Sequence, residues 1–367
     1  MQLYRIFNKS WILGKFYNIF IKSLTGIIRN SIKASKLLYN QVRYYSSFAN
    51  LNHNDNHLDP NFITGFADAE GSFMLSILSS KERHIGWSVG VRFEITLHAK
   101  DEELLNQIHA YFKGAGLVTK FGVDKVTYRV NNLNQMIDII IPHFQQYPLN
   151  TNKKADFELF SRAVELMSSK EHLTQVGLEK LVAIKASMNL GLSDSLKVAF
   201  PLCKPVSRPI YALQPLCPQW VAGFTSGEGY FGVKLLSSNT IKTGKQVRLI
   251  FQITQHTPQR PPVPGTGGSW AERGDEFLMK SFMNYFECGK YYSAQRAEYG
   301  DFIVIKLSDH INKIIPFFLK NKILGEKSKD FNNWCKVVEI VKTKEHLTEK
   351  GLAKIIKIRS SMNKERL

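Results

Sequence analysis

The 367-residue chain is poor in cysteine, short of acid and without any long apolar run. Its four cysteines (Cys203, Cys217, Cys288 and Cys335) form no CxxC pair, which excludes a disulfide scaffold and a zinc finger and suits a reducing compartment. No uncharged apolar stretch approaches the ~18 residues that a membrane span needs. Asp and Glu number 31 against 49 Lys and Arg, and the resulting charge of +18 calls for a polyanionic partner. What the chain does have is 44% hydrophobic and 12% aromatic residues, enough to bury a large core. Its length fits two domains, or one duplicated domain with extensions.

The lack of acid is complete at the start. Residues 1–54 contain eight Lys/Arg and no Asp or Glu, and they are rich in Ser, Ile and Tyr. That is the composition of a mitochondrial presequence, so a mitochondrial location is expected. The alternative is an upstream extension without address value.

The rest of the chain repeats itself. Phe62–Phe73 (FITGFADAEGSF) lies over Trp220–Phe231 (WVAGFTSGEGYF), and Phe93–His98 (FEITLH) over Phe251–His256 (FQITQH), both at an offset of 158. Further on the offset becomes 174: Lys170–Thr174 (KEHLT) recurs as Lys344–Thr348, and Ser187–Asn189 as Ser361–Asn363. Residues 60–190 therefore form one unit and 220–367 a second, with a proline-rich linker at 191–219. Each unit predicts a short helix ending at a Glu-Gly, strands near 72–80 and 87–98, a helix from Asp101, two strands near 117–131, and further helices. Along the second strand Val89, Val91, Phe93, Ile95 and Leu97 alternate with Gly90, Arg92, Glu94, Thr96 and His98. One sheet face is thus packed under helices and the other is polar and open.

Gly65 and Ala69, like Gly223 and Gly227, stand four apart, a spacing that lets two helix backbones approach closely. Packed about a pseudo-twofold axis, the two helices would bring Glu70 and Glu228 side by side at their ends. Carboxylates there oppose the helix dipole and repel each other, and shared divalent cations would relieve both penalties.

These two segments resemble the LAGLIDADG motifs of homing endonucleases, in the single-chain, two-repeat class encoded in fungal mitochondrial group I introns. The resemblance covers about residues 60–365. It implies an α+β fold of two pseudo-symmetric αββαββα units forming a saddle of two antiparallel sheets over DNA. It also implies metal-dependent, site-specific double-strand cleavage that promotes mobility of an intron or gene. The metal, Mg²⁺ or Mn²⁺, would be held by Glu70 and Glu228 as catalytic residues, helped by the backbone carbonyls of Ala69 and Gly227. Arg248, Lys290 and Lys120 are candidate auxiliary cations, although Arg248 stands where related enzymes often place an uncharged amide.

The open faces supply the candidate DNA contacts: Ser72, Met74, Ser76, Ser88, Arg92 and Glu94 in the first half, and Tyr230, Lys234, Gln246, Arg248, Gln252 and Thr254 in the second. Arg and Gln suit bidentate contacts to guanine and adenine. Two strands of ~9 residues at ~3.3 Å each span about 60 Å, or about 18 base pairs of double-stranded DNA. The duplicated chain needs no second copy, so a monomer is expected. A membrane partner is disfavoured because the charge interleaves with polar strand faces rather than lining one amphipathic helix. His98, His256, His172 and His346 recur without metal-ligand spacing and read as packing or capping residues.

One stretch breaks the repeat. Thr257–Gly274 (TPQRPPVPGTGGSWAERG) stands in place of Ala99–Lys100 and holds four Pro and four Gly but no Ile, Lys, Asn, Phe or Tyr. It reads as a loop inserted from GC-rich DNA into an AT-rich gene; the alternative is a functional loop. Two other functions fit the same charge and fold: an RNA maturase that assists group I intron splicing, and an inactive relative. The paired glutamates favour the nuclease, because RNA binding does not need them.

Overall fold

A computed structural model describes residues 58–209, 211, 213–256, 274–293 and 299–363. The basic leader and, apart from Gly274, the inserted loop lie outside the described residues.

Asp59 opens the first element by accepting a hydrogen bond from the Asn61 amide (2.8 Å), and Pro60 presets φ for helix α1 (Pro60–Glu70). Strands β1 (Gly71–Ser79) and β2 (Trp87–His98) follow as an antiparallel pair. After helix α2 (Glu102–Tyr111), β3 (Leu117–Phe121) and β4 (Lys125–Val130) complete a sheet of order β1-β2-β4-β3. Helices α3 (Ile141–Gln146), α4 (Lys153–Ser168) and α5 (Gln175–Ser187) finish the first half. Beyond the six-residue α6 (Asp194–Ala199), the pattern recurs as α7 (Pro218–Glu228), β5 (Gly229–Ser237), β6 (Lys245–His256), α8 (Gly274–Phe286), β7 (Lys290–Ser293) and β8 (Tyr299–Val304). Helices α9 (Ile315–Lys320), α10 (Glu326–Lys342) and α11 (Glu349–Arg359) close it, and the second sheet has the matching order β5-β6-β8-β7. The expected α+β fold of two αββαββα units with antiparallel sheets is what the chain forms.

The alternation in the strands decides which face is covered. Phe73, Leu75, Ile77, Val91, Phe93 and Ile95 are buried, and Phe73 stacks on Phe93 with ring centroids 5.0 Å apart. The same contact recurs in the second half between Phe231 and Phe251 at 5.3 Å. Phe157 of α4 and Phe331 of α10 pack on Phe73 and Phe231 at 5.2 and 5.1 Å, so the two cores repeat ring for ring.

The proline-rich connection differs from a free linker. Leu196 of α6 is buried, and Phe200 packs on Trp87 at 5.3 Å. Arg208 grips Asp156 with two hydrogen bonds of 2.7 and 3.0 Å. Enough apolar and charged residues lie among the prolines for the segment to be held against the first half.

Candidate active site

The site begins with two glycines. A Cβ on Gly65 would collide with the carbonyl oxygen of Trp220, and one on Gly223 with that of Phe62. Phe62 and Trp220 are equivalent residues of the two repeats, so α1 and α7 cross reciprocally, as an isologous contact about a twofold axis requires. At the far end of the crossing Gly227 faces Ala69 and Glu70, and a Cβ there would come within 3.2 Å of Glu70 Oε1. The helices end here because Gly71 and Gly229 turn to extended backbone, with φ near −78° and −72°. Glu70 and Glu228 are thus the last residues of two helices whose backbones touch.

Both carboxyl groups are partly buried. Burial holds the Glu70 carboxyl above the usual range, against the lowering charges of Lys327 and Lys153. Burial pushes Glu228 up to about 7, reinforced by the charge of Glu70 and opposed by the same two lysines. The pair therefore resists carrying two negative charges on its own.

Lys153 and Lys327 stand where Arg248, Lys290 and Lys120 were expected to assist. The Lys153 ammonium donates to the carbonyl oxygens of Ala67 (3.0 Å) and Ala69 (3.4 Å), and Lys327 to those of Gly227 (2.6 Å) and Gly229 (2.7 Å). Burial lowers the pKa of both, while Glu70 and Glu228 are among the charges that oppose this. The structure does not bring the three expected cations to the glutamates. Lys120 forms an ion pair with Glu102 (2.8 Å), Lys290 lies at the start of β7 opposite Ile303, and Arg248 is exposed in β6 opposite Lys234. A signal for the lysines was present in the sequence: they coincide at the 174 offset, in Lys153-Lys-Ala-Asp-Phe157 and Lys327-Ser-Lys-Asp-Phe331.

Asp68 fixes this geometry. Its buried carboxylate accepts from the amides of Asn150 (2.8 Å) and Thr151 (3.2 Å), from the Thr151 hydroxyl (2.6 Å) and, across the crossing, from Trp220 Nε1 (2.8 Å). Its counterpart in α7 is Ser226, whose hydroxyl accepts from the Leu324 amide (3.1 Å). Each contact ties the end of a motif helix to the loop preceding the lysine-bearing helix.

The donors around the glutamates are all oxygens: two carboxylates and the carbonyls of Ala69 and Gly227, where the ammonium groups already rest. Such a set suits a hard divalent cation. Among the described residues no three His, Cys, Asp or Glu converge as a metal cage, so an ion here would complete its shell with water or phosphate oxygens.

All twelve candidate DNA contacts lie on the uncovered sheet faces. Cross-strand partners share a face, and Ser72 pairs with Glu94, Met74 with Arg92, Tyr230 with Gln252 and Lys234 with Arg248. Two networks organise these faces. Glu94 accepts from Arg92 (3.4 Å) and from Arg129 Nε (3.0 Å). Asp301 accepts from Gln252 Nε2 (3.0 Å) and from the Thr254 hydroxyl (2.7 Å). Of the recurring histidines, His98 caps the turn that follows it by accepting from the Lys100 amide (3.1 Å). The side chain of His256 lies outside the described residues.

Comparison with known proteins agrees with this architecture. The family described as LAGLIDADG endonuclease matches residues 63–164 and 221–338. "Probable intron-encoded endonuclease 2" of Neurospora crassa is 39% identical over 83% of this chain, and "Probable intron-encoded endonuclease 3" of the same organism is 36% identical over 81%. This chain spans only 65% and 53% of those two relatives. The I-SmaMI LAGLIDADG homing endonuclease bound to cleaved DNA superposes with a TM-score of 0.79 and 41% identity, over 84% of this chain and 98% of that one. A further I-SmaMI structure holds uncleaved DNA target in the presence of calcium ions. Two matched repeats, two matching sheets and a glycine-mediated helix crossing make this chain a member of the LAGLIDADG endonuclease family.

Proposed function

We propose that the chain is a site-specific, divalent-metal-dependent DNA endonuclease that acts as a monomer on about 18 base pairs of double-stranded DNA. The observation that carries this reading is the pair Glu70 and Glu228, brought together by the reciprocal packing of α1 and α7. Kinship to intron-encoded proteins supports a role in intron mobility, and the acid-free leader supports a mitochondrial setting.

Phosphodiester hydrolysis needs an activated water and a neutralised leaving oxygen, and Mg²⁺ or Mn²⁺ bound at the glutamates supplies both. Glu70 and Glu228, with the Ala69 and Gly227 carbonyls, would hold the cation. Lys153 and Lys327, whose ammonium groups rest on those carbonyls, would supply positive charge to the crowded phosphate of the transition state. The open sheet faces then set the register on the duplex, with Arg92, Arg129, Lys234 and Arg248 as the charged contacts.

A randomised DNA library incubated with Mg²⁺ and the protein tests this reading. Wild type should select and cut one site, and Glu70→Gln or Glu228→Gln should bind that site while losing cleavage by on the order of a thousandfold. Folded wild-type protein that cuts nothing, yet binds group I intron RNA tightly, would replace the nuclease with a maturase.

A further inference from the structure

Two aspartates outside the motif helices are exchanged across the seam between the halves. Asp101, just before α2, accepts from the amide of Glu326 at the start of α10 in the other half (2.7 Å). Asp275, at the start of α8, accepts from the amide of Asn152 just before α4 in the first half (3.0 Å) and from its side-chain Nδ2 (3.0 Å). Asp101 and Asp275 are equivalent at the 174 offset, as are Asn152 and Glu326. The two contacts are therefore one contact made twice, each half supplying the acceptor for the other.

Their chemistry is that of helix capping. The residues preceding α4 and α10, Asn152 and Gly325, make no side-chain cap of their own. The open amides are met by a carboxylate from the opposite half, where the helix dipole favours negative charge. Gly325 makes room for this, since a Cβ on it would stand 2.5 Å from Asp101 Oδ1, and its φ of 68° suits glycine. Lys153 and Lys327 occupy the first turns of these same helices and reach back to Ala69 and Gly227 of their own halves.

We propose that Asp101 and Asp275 are positioning residues acting crosswise: Asp101 fixes the start of α10 and so aims Lys327, and Asp275 fixes the start of α4 and so aims Lys153. Each active-site lysine is thereby placed by the opposite repeat. The proposal deepens the nuclease reading and rests on it for the role of the lysines, but the positions of the lysines can be read without cleavage.

The test uses full-length protein with ¹³C-labelled lysine, free of metal and DNA. Asp101→Ala should move the Lys327 resonance and leave Lys153 in place, Asp275→Ala should do the reverse, and Asp101→Asn, which keeps the acceptor oxygen, should restore the Lys327 signal. Should Asp101→Ala not fold, Asp101→Ser offers the same comparison with a shorter acceptor. In single-turnover cleavage each Ala variant should slow by on the order of tenfold to a hundredfold, with DNA affinity within about threefold of wild type. In a Lys327→Met background, Asp101→Ala should add no further loss while Asp275→Ala still does. Equal movement of both lysine signals by either variant, or Asp101 losses that multiply with Lys327→Met, would reduce the aspartates to interface contacts and overturn the proposal. Correct lysine shifts without any cleavage by wild type would keep the crosswise placement and remove the nuclease reading.

Discussion

At the residue scale the two sheets differ in what, on the nuclease reading, they would offer to a base edge. Asp301 engages the Gln252 amide nitrogen and the Thr254 hydroxyl through their donor hydrogens, so what Gln252 has left to offer is its acceptor oxygen. Such an acceptor matches the amino groups of cytosine or adenine rather than the acceptors of guanine. In the first half the acceptor is Glu94, which stands at the position of Gln252, and Thr127 stands at that of Asp301. Glu94 steadies Arg92 and Arg129, whose remaining N–H groups suit guanine O6 and N7. We expect Asp301→Asn to relax selection at the base pair beneath Gln252, and Glu94→Gln to relax it beneath Arg92, each by about 1–3 kcal/mol of discrimination. Library cleavage by each variant reads this directly. A loss of preference spread evenly along the site would show that both residues serve the fold instead.

At the scale of elements, the helix crossing is the part with least tolerance. Gly65 and Gly223 meet backbone rather than a flexible side chain, so neither α1 nor α7 can yield to a methyl without separating. Gly223→Ala should destabilise the protein by about 1–3 kcal/mol in urea unfolding and reduce cleavage more than DNA binding, because the glutamates part while the sheets persist. A variant of wild-type stability and rate would mean that the crossing is looser than the contacts require. This element was legible in the sequence, because close approach needs small residues and their spacing of four appears twice. The strands were legible for a similar reason: alternation of Phe93 and Ile95 with Glu94 and Thr96 is a local record of which face is covered. The roles of the lysines and the crosswise aspartates are not legible locally, although these residues too coincide between repeats. Their work depends on contacts as distant as Asp101 with Glu326, and nothing near either residue announces such a partner. The same holds for Arg208 and Asp156, which turn a proline-rich stretch into a packed strap.

At the scale of the molecule, duplication within one chain has let the halves diverge where an assembly of identical subunits could not. Asp68 has become Ser226, Glu94 has become Gln252, and Thr127 has become Asp301, while the glutamates, lysines and capping aspartates remain paired. The inserted loop falls within this frame. In the first half two residues join His98 to Asp101, and in the second the segment 257–274 joins His256 to Asp275. Both ends are tied at equivalent positions, β6 pairing as far as His256 with Tyr299 and Asp275 binding Asn152. Replacing 257–274 by Ala-Lys should therefore leave the fold, the cap on α4 and the cleavage rate intact. Because closing a longer loop costs more chain entropy, the shortened protein should be more stable by about 1–2 kcal/mol in urea unfolding. If the deletion instead lowers stability or abolishes cleavage of a site that wild type cuts, the segment supplies contacts of its own and is a working part of the second half.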